Sequence, residues 1–220
     1  MSTLETLTKE LHEHPLPAGW RMVRLGEVCE IIAGQSPPAS TYRNSPEGLP
    51  FFQGKADFGL LHPVARVWCV EPYKIALPGD ILISVRAPVG PTNVADAECC
   101  IGRGLAAIRC GGSIDRGFLL AALRHLEPKL AQLGSGSTFD AISRGDLEDF
   151  RIPLPPLAEQ KRIAAILREQ MAAVEKARAA AEAQLNAIHY HPIGQTGNTP
   201  VPMIGTYYAG GGENRQPLNF

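Results

Sequence analysis

The sequence predicts an α+β fold, with a mixed domain over residues 17–156 followed by a long, coiled-coil-forming α-helix over 157–188. Three observations carry that expectation. Short β-like runs alternate with Gly and Pro clusters between residues 20 and 150, and one helical run interrupts them. An apolar seam with steps of three and four then extends over more than four heptads.

The chain begins with a short helix-like segment in residues 1–16, where Leu4, Leu7 and Leu11 share a face, and the run from Pro15 to Gly19 ends it. So short a helix is marginal alone and needs a surface to dock on. The clearest β-like runs are Val28 to Ile32, Val64 to Val70, Asp80 to Val85 and Leu105 to Arg109. Turn signals separate them at Ala33-Gly34, Pro78-Gly79-Asp80, Pro88-Val89-Gly90 and Gly111-Gly112. Phe118 to Leu133 reads as one helix with Leu119, Leu120, Leu123, Leu126, Leu130 and Leu133 on its apolar face. The order is not a regular βαβ alternation, hence α+β.

Pro155-Pro156 suits the start of the long helix, and Glu159 falls near its positive N-terminal end. Its seam runs through Leu157, Gln160, Ala164, Leu167, Met171, Val174, Arg178, Ala181, Leu185 and Ile188. At 1.5 Å per residue the helix spans roughly 45 Å, more than a small domain can cover. The seam therefore predicts a partner helix, with a second copy of the chain as the simplest one. Residues 189–220 are rich in Gly and Pro, lack an apolar period, and read as a flexible tail.

Bulk properties narrow the function. With 45% hydrophobic and 20% charged residues the chain is an ordinary globular protein. A net charge of −1 argues against a free-standing, non-specific nucleic-acid binder but leaves room for a specific reader. Cys29, Cys69, Cys99, Cys100 and Cys110 form no C-x-x-C pair; they suit a reducing compartment and small apolar core positions. No run approaches the roughly 18 apolar residues of a membrane span. The acidic N-terminus lacks a signal-peptide core, so a cytoplasmic protein is expected.

Catalytic motifs are missing from the sequence. It has no phosphate-binding G-x-x-x-x-G-K-[ST] loop, no G-x-G-x-x-G opening a helix, no H-E-x-x-H and no G-x-S-x-G elbow. His189 and His191 have no evident third metal ligand. Neither a catalytic site nor a cofactor or metal is expected. The Asn/Asp-Pro-Pro-aromatic signature of adenine methyltransferases is also missing, since Asn44-Ser45-Pro46 does not match it.

Four motifs in order carry a resemblance. The first joins Pro17-Ala18-Gly19-Trp20, Leu25-Gly26-Glu27-Val28 and Ile32-Ala33-Gly34-Gln35-Ser36-Pro37. The second is Pro78-Gly79-Asp80-Ile81-Leu82-Ile83-Ser84-Val85-Arg86, with Gly90 beyond it. The third is Gly134-Ser135-Gly136-Ser137-Thr138 with Ile142 and Leu147. The fourth is Ile152-Pro153-Leu154-Pro155-Pro156-Leu157 with Glu159-Gln160 and Arg162-Ile163. In order and spacing the chain resembles the specificity subunits of type I restriction–modification systems.

The resemblance implies a DNA-binding target-recognition domain followed by a conserved spacer helix. It also implies partner modification and restriction subunits that supply catalysis and bind S-adenosylmethionine and ATP. Members of the family typically carry two such units with antiparallel helices, whereas this sequence holds one, as a half-subunit would. The expected function is sequence-specific recognition of double-stranded DNA that directs adenine methylation and restriction. The alternative is a truncated interaction module that binds modification subunits without reading DNA.

Base edges are read chiefly by Arg, Lys, Asn and Gln, while Ser, Thr and backbone amides fix phosphates. Loops on a rigid scaffold carry such residues. The DNA-contacting candidates are Gln35, Arg43, Gln53, Lys55, Arg86 and Arg103, with Ser135, Ser137 and Thr138 following a phosphate backbone. Leu167, Met171, Val174, Leu185 and Ile188 are the candidates for the subunit interface.

Overall fold

The computed structural model describes residues 16–135 and 141–189, with the side chains of 135, 175 and 186–189 left out. The expected N-terminal helix and the tail from residue 190 lie outside the described residues. The chain divides into two compact units, Met1–Lys176 and Ala177–Phe220.

Strand β1 (Arg21–Arg24) passes through a single helical turn, α1 (Leu25–Val28), into β2 (Cys29–Ala33). Then come β3 (Tyr42–Arg43), β4 (Leu49–Phe52), β5 (Trp68–Cys69) and β6 (Ile75–Ala76). They are followed by β7 (Ile81–Ser84), β8 (Thr92–Val94), β9 (Cys99–Ile101) and β10 (Leu105–Cys110). Helices α2 (Arg116–His125), α3 (Glu127–Ser135) and α4 (Arg144–Asp149) precede β11 (Arg151–Leu154) and α5 (Leu157–His189).

Three sheets result: an antiparallel β2-β10-β7-β8 sheet, a β3-β5-β4-β9-β6 sheet in which β4 and β9 run parallel, and the pair β1-β11. Period-two alternation sorts the side chains of the first sheet onto two faces. Ile81, Ile83, Ala106 and Ile108 pack with Leu119, Leu123, Leu130 and Leu147 of the helices. Leu82, Leu105 and Ala107 pack the other way, with Phe52, Ala76, Cys99 and Ile101 of the second sheet. β7 and β10 are therefore buried on both faces, which is why they read as continuous apolar runs.

Asp80 explains the second motif. Only 4% exposed, it accepts hydrogen bonds from Arg109 Nη2 at 2.8 Å, Arg109 Nε at 3.1 Å and the Leu77 amide at 2.8 Å. The Pro78-Gly79 turn, with Gly79 at φ +93°, is thereby tied to β10. The hydrogen bonds to Asp80 raise the Arg109 guanidinium pKa above its ordinary value.

Several expectations need correction. The helix expected over Phe118 to Leu133 is two helices that break at Leu126. Pro128 is the cause, since its ring removes an amide donor and clashes with the carbonyl four residues earlier. Of Val64 to Val70 only Trp68–Cys69 is strand, because β3 and β4 pair with that stretch alone. The strand expected from Val28 starts at Cys29, after the α1 turn.

The long helix is present as Leu157–His189, yet its seam does not lack intrachain partners throughout. Gln160 is 0% exposed, and Ala164 packs into the main core. Gln160 Oε1 accepts from the Asp115 amide at 2.8 Å, and its Nε2 donates to the carbonyls of Pro155 at 2.9 Å and Ser113 at 3.2 Å. Trp20 Nε1 donates to Glu159 Oε2 at 3.2 Å, so the first and fourth motifs meet around β1 and β11. Among the described residues no helix is long and apolar enough to cross a membrane.

Candidate nucleic-acid interface

Gly34 ends β2 and sends the chain across the end of the first sheet. Its amide bonds to Leu105 O, and the Gln35 amide bonds to Ile101 O. A Cβ on Gly34 would fall within 2.2 Å of Gly102 O, so only glycine permits this crossing. The crossing brings Ser36 beside the Gly102-Arg103-Gly104 turn, where Ser36 Oγ accepts from the Arg103 amide at 3.3 Å.

A second loop meets the same turn. After β4 the chain passes through Gln53 and Gly54 into a 3₁₀ turn at Lys55–Asp57. Asp57 Oδ2 accepts from the Gln53 amide at 2.7 Å and the Gly54 amide at 3.3 Å, which fixes the loop. A Cβ on Gly104 would sit 2.2 Å from Gln53 O, so the two loops touch backbone to backbone. Arg86 enters just beyond β7, where Ser84 Oγ donates to its carbonyl at 3.0 Å and the Val85 amide bonds to Gly104 O at 3.0 Å.

These segments line an open cleft of about 750 Å³ that includes Ser36, Gln53, Lys55, Asp57, Arg86 and Arg103. Gln53, Lys55, Arg86 and Arg103 are exposed, and Asp57 is half-buried. Among the described residues none of the three cations takes part in an ion pair. Three cations face one carboxylate, and that carboxylate has one oxygen committed to backbone amides. Such a lining attracts an anion with planar hydrogen-bonding edges.

Four of the candidate residues thus come together: Gln53, Lys55, Arg86 and Arg103. Gln35 is exposed beside Ser36 but does not line the cleft. Arg43 lies elsewhere on β3, where its Nη1 donates to Ser40 O and Tyr42 O and its Nε faces Glu47 at 3.4 Å. Ser135 is the last residue of α3, whereas Ser137 and Thr138 lie outside the described residues. Ser36, Asp57 and Gly104 complete the cleft and were not among the candidates. For Asp57 the available signal is its place two positions after Lys55, where an Asp can form a local side-chain turn; Ser36 and Gly104 have no such local signal.

On α5, Leu167 is 36%, Met171 51%, Val174 64% and Leu185 57% exposed; Ile188 lies in the helix with its side chain outside those described. Among the described residues no group of three or more His, Cys, Asp or Glu is placed to hold a metal ion.

The model of the type I restriction modification DNA specificity domain matches residues 17–183. The chain belongs to that family. By that membership it is a specificity component, not a catalytic one. It is 47% identical over 156 residues to a Methanocaldococcus jannaschii protein described as the MjaX type I restriction enzyme specificity subunit, covering 70% of this chain and 37% of that one. The EcoDI specificity subunit of Escherichia coli is 28% identical over 167 residues, covering 76% and 34%. The crystal structure of the HsdS subunit from Thermoanaerobacter tengcongensis superposes with a TM-score of 0.67 at 54% identity, covering 84% of this chain and 48% of that one. A structure reported for complex assembly and conformational transition of the type I R-M system gives 0.70 at 55%, with the same coverage. The chain spans between a third and half of the length of these relatives. The match takes in all four sequence motifs, and the fold is the mixed one of the HsdS structures.

Proposed function

We propose that this chain reads double-stranded DNA in a sequence-specific manner, in the cytoplasm, and directs partner modification and restriction subunits to adenine methylation and cleavage. The observation that carries this reading is the cleft. Three cations that form no ion pair among the described residues and an amide side chain converge there on backbone-to-backbone loops, in a specificity domain of this family.

Arg86 and Arg103 have the planar donors that match guanine O6 and N7, and Gln53 has the paired donor and acceptor that match adenine. Lys55 suits phosphate, and Gln35, exposed just outside the cleft beside Ser36, extends the contact surface. In this reading Ser135, Ser137 and Thr138 follow the backbone of the same duplex. Arg43 has its guanidinium engaged locally and has no part in the reading.

The recognition domain comprises residues 17–156, and α5 is the spacer that pairs with a second copy. Exposed Leu167, Met171 and Val174 support that pairing. Two copies related by a two-fold axis would read a split, palindromic target. A helix of roughly 50 Å spans more than one DNA turn of about 34–36 Å.

The test is to express the full chain with its cognate modification subunit and map methylated adenines genome-wide. A symmetric bipartite motif is the expected result. A continuous or asymmetric motif overturns the paired arrangement, and no sequence-specific methylation favours a non-reading interaction module.

A further inference from the structure

A second concavity, of about 960 Å³, lies on the face opposite in character to the polar cleft. Its apolar lining includes Trp20, Leu120, Ala121, Ile163, Leu167 and Met171. Arg116, Arg124 and Arg168 contribute cations to the same groove. Among the described residues none of these three arginines is in an ion pair. An apolar trough with a cationic lining fits a short amphipathic helix whose polar face is acidic.

We propose that the occupant is the chain's own N-terminal segment, residues 4–13. Leu4, Leu7 and Leu11 repeat at steps of three and four, and Glu5, Glu10 and Glu13 outweigh Lys9, leaving the segment net acidic. The segment lies outside the described residues, and the described chain resumes at Leu16, four residues before Trp20 in the groove wall. Residues 14–19 extend to at most about 20 Å, enough for the segment to reach back but too short for it to wander far. A tether of that length sets an effective concentration on the order of millimolar, so an untethered affinity near 0.1 mM already gives about 90% occupancy. The inference is independent of the DNA-reading proposal. It also makes Leu167 and Met171 a contact that the segment and a partner helix cannot hold together.

Hydrogen exchange read by mass spectrometry on the full chain tests this. Amides of residues 4–13 should exchange about tenfold more slowly than in an unstructured chain, as the occupancy implies. In the L4D/L7D/L11D variant that protection should vanish, and peptides covering residues 117–126 and 160–172 should exchange faster, while the β7 peptide stays unchanged. R168E, at an exposed helix position, should weaken protection of 4–13 without unfolding the domain. Unprotected 4–13 amides in the wild type would overturn the proposal. Protection that disappears on dilution would overturn it in favour of a second copy's segment. Loss of protection in the β7 peptide would show that the triple variant is misfolded; R168E then decides, unchanged protection of 4–13 overturning the proposal.

Discussion

Replacing Gln160 by leucine removes an acceptor and two donors from a fully buried position while nearly preserving side-chain volume. The Ser113 carbonyl belongs to an exposed residue and turns to water. The Pro155 carbonyl is in a buried residue, and the Asp115 amide is in a half-buried one, so both lose their partner where water has limited access. An orphaned buried polar group costs about 1–3 kcal/mol, so the two together give about 2–6 kcal/mol. Asp115 is also the N-cap of α2, accepting from the Phe118 amide at 3.0 Å, so loosening its backbone frays that helix. For a domain of this size the loss corresponds to a fall in melting temperature of about 4–24 °C. Circular dichroism melts of wild type and Q160L measure it directly. A melting temperature within about 2 °C of wild type would show that the anchoring of α5 rests on apolar packing, and the role given to Gln160 would be wrong.

In the polar cleft, R86A and R103A should each weaken specific DNA binding by about 1–3 kcal/mol where the side chain reads a base, or shallow the salt dependence by about one unit where it holds a phosphate. Titrations at several salt concentrations separate the two, and an unchanged affinity and slope for both would remove the cleft from the DNA interface. G34A places a Cβ 2.2 Å from the Gly102 carbonyl. It should destabilise the domain by about 2 kcal/mol or more through forced backbone movement, measured by urea unfolding. V174D places a charge on the exposed part of the seam, so sedimentation should show loss of chain pairing with an unchanged melting temperature. Cys110 should alkylate first among the cysteines, because its hydrogen bond with Cys29 lowers its pKa. Burial holds Cys99 up to about 12 and Cys100 up to about 11. Iodoacetamide labelling at neutral pH, followed by peptide mass spectrometry, gives the order.

The elements legible in the sequence are those with local signals. β7 and β10 announce themselves as uninterrupted apolar runs because both of their faces are covered, and α5 through its unbroken three-four periodicity. The second sheet is opaque for the opposite reason. β3, β5 and β6 are two residues long and exist through pairings between segments distant in the chain, such as Tyr42 with Cys69 and Ile75 with Cys100. The break at Leu126 was readable from Pro128, but the leucine period on either side masked it. Gln160 misled more deeply. A polar residue at a seam position reads as facing a partner helix, and nothing local tells that its partners are Asp115, Ser113 and Pro155. Arg, Lys and Gln beside glycine singled out much of the polar cleft. That Gln53, Lys55, Arg86 and Arg103 share one concavity, while Arg43 does not, follows from the sheet pairing that brings these loops together.

The pairing of β1 with β11 has a consequence for how such a protein changes over time. Arg24 lies opposite Arg151 and Arg21 opposite Leu154, so the polypeptide enters and leaves the domain on adjacent strands about 5 Å apart. Everything between them hangs from a single narrow doorway. A recombination event with one crossover in each strand would exchange the whole intervening cassette, loops and cleft included, and leave Trp20, Glu159 and the start of α5 untouched. The exchanged block of about 125 residues would still have to present the Ser113 carbonyl and the Asp115 amide to Gln160, so the start of α5 sets the condition that any incoming block must meet.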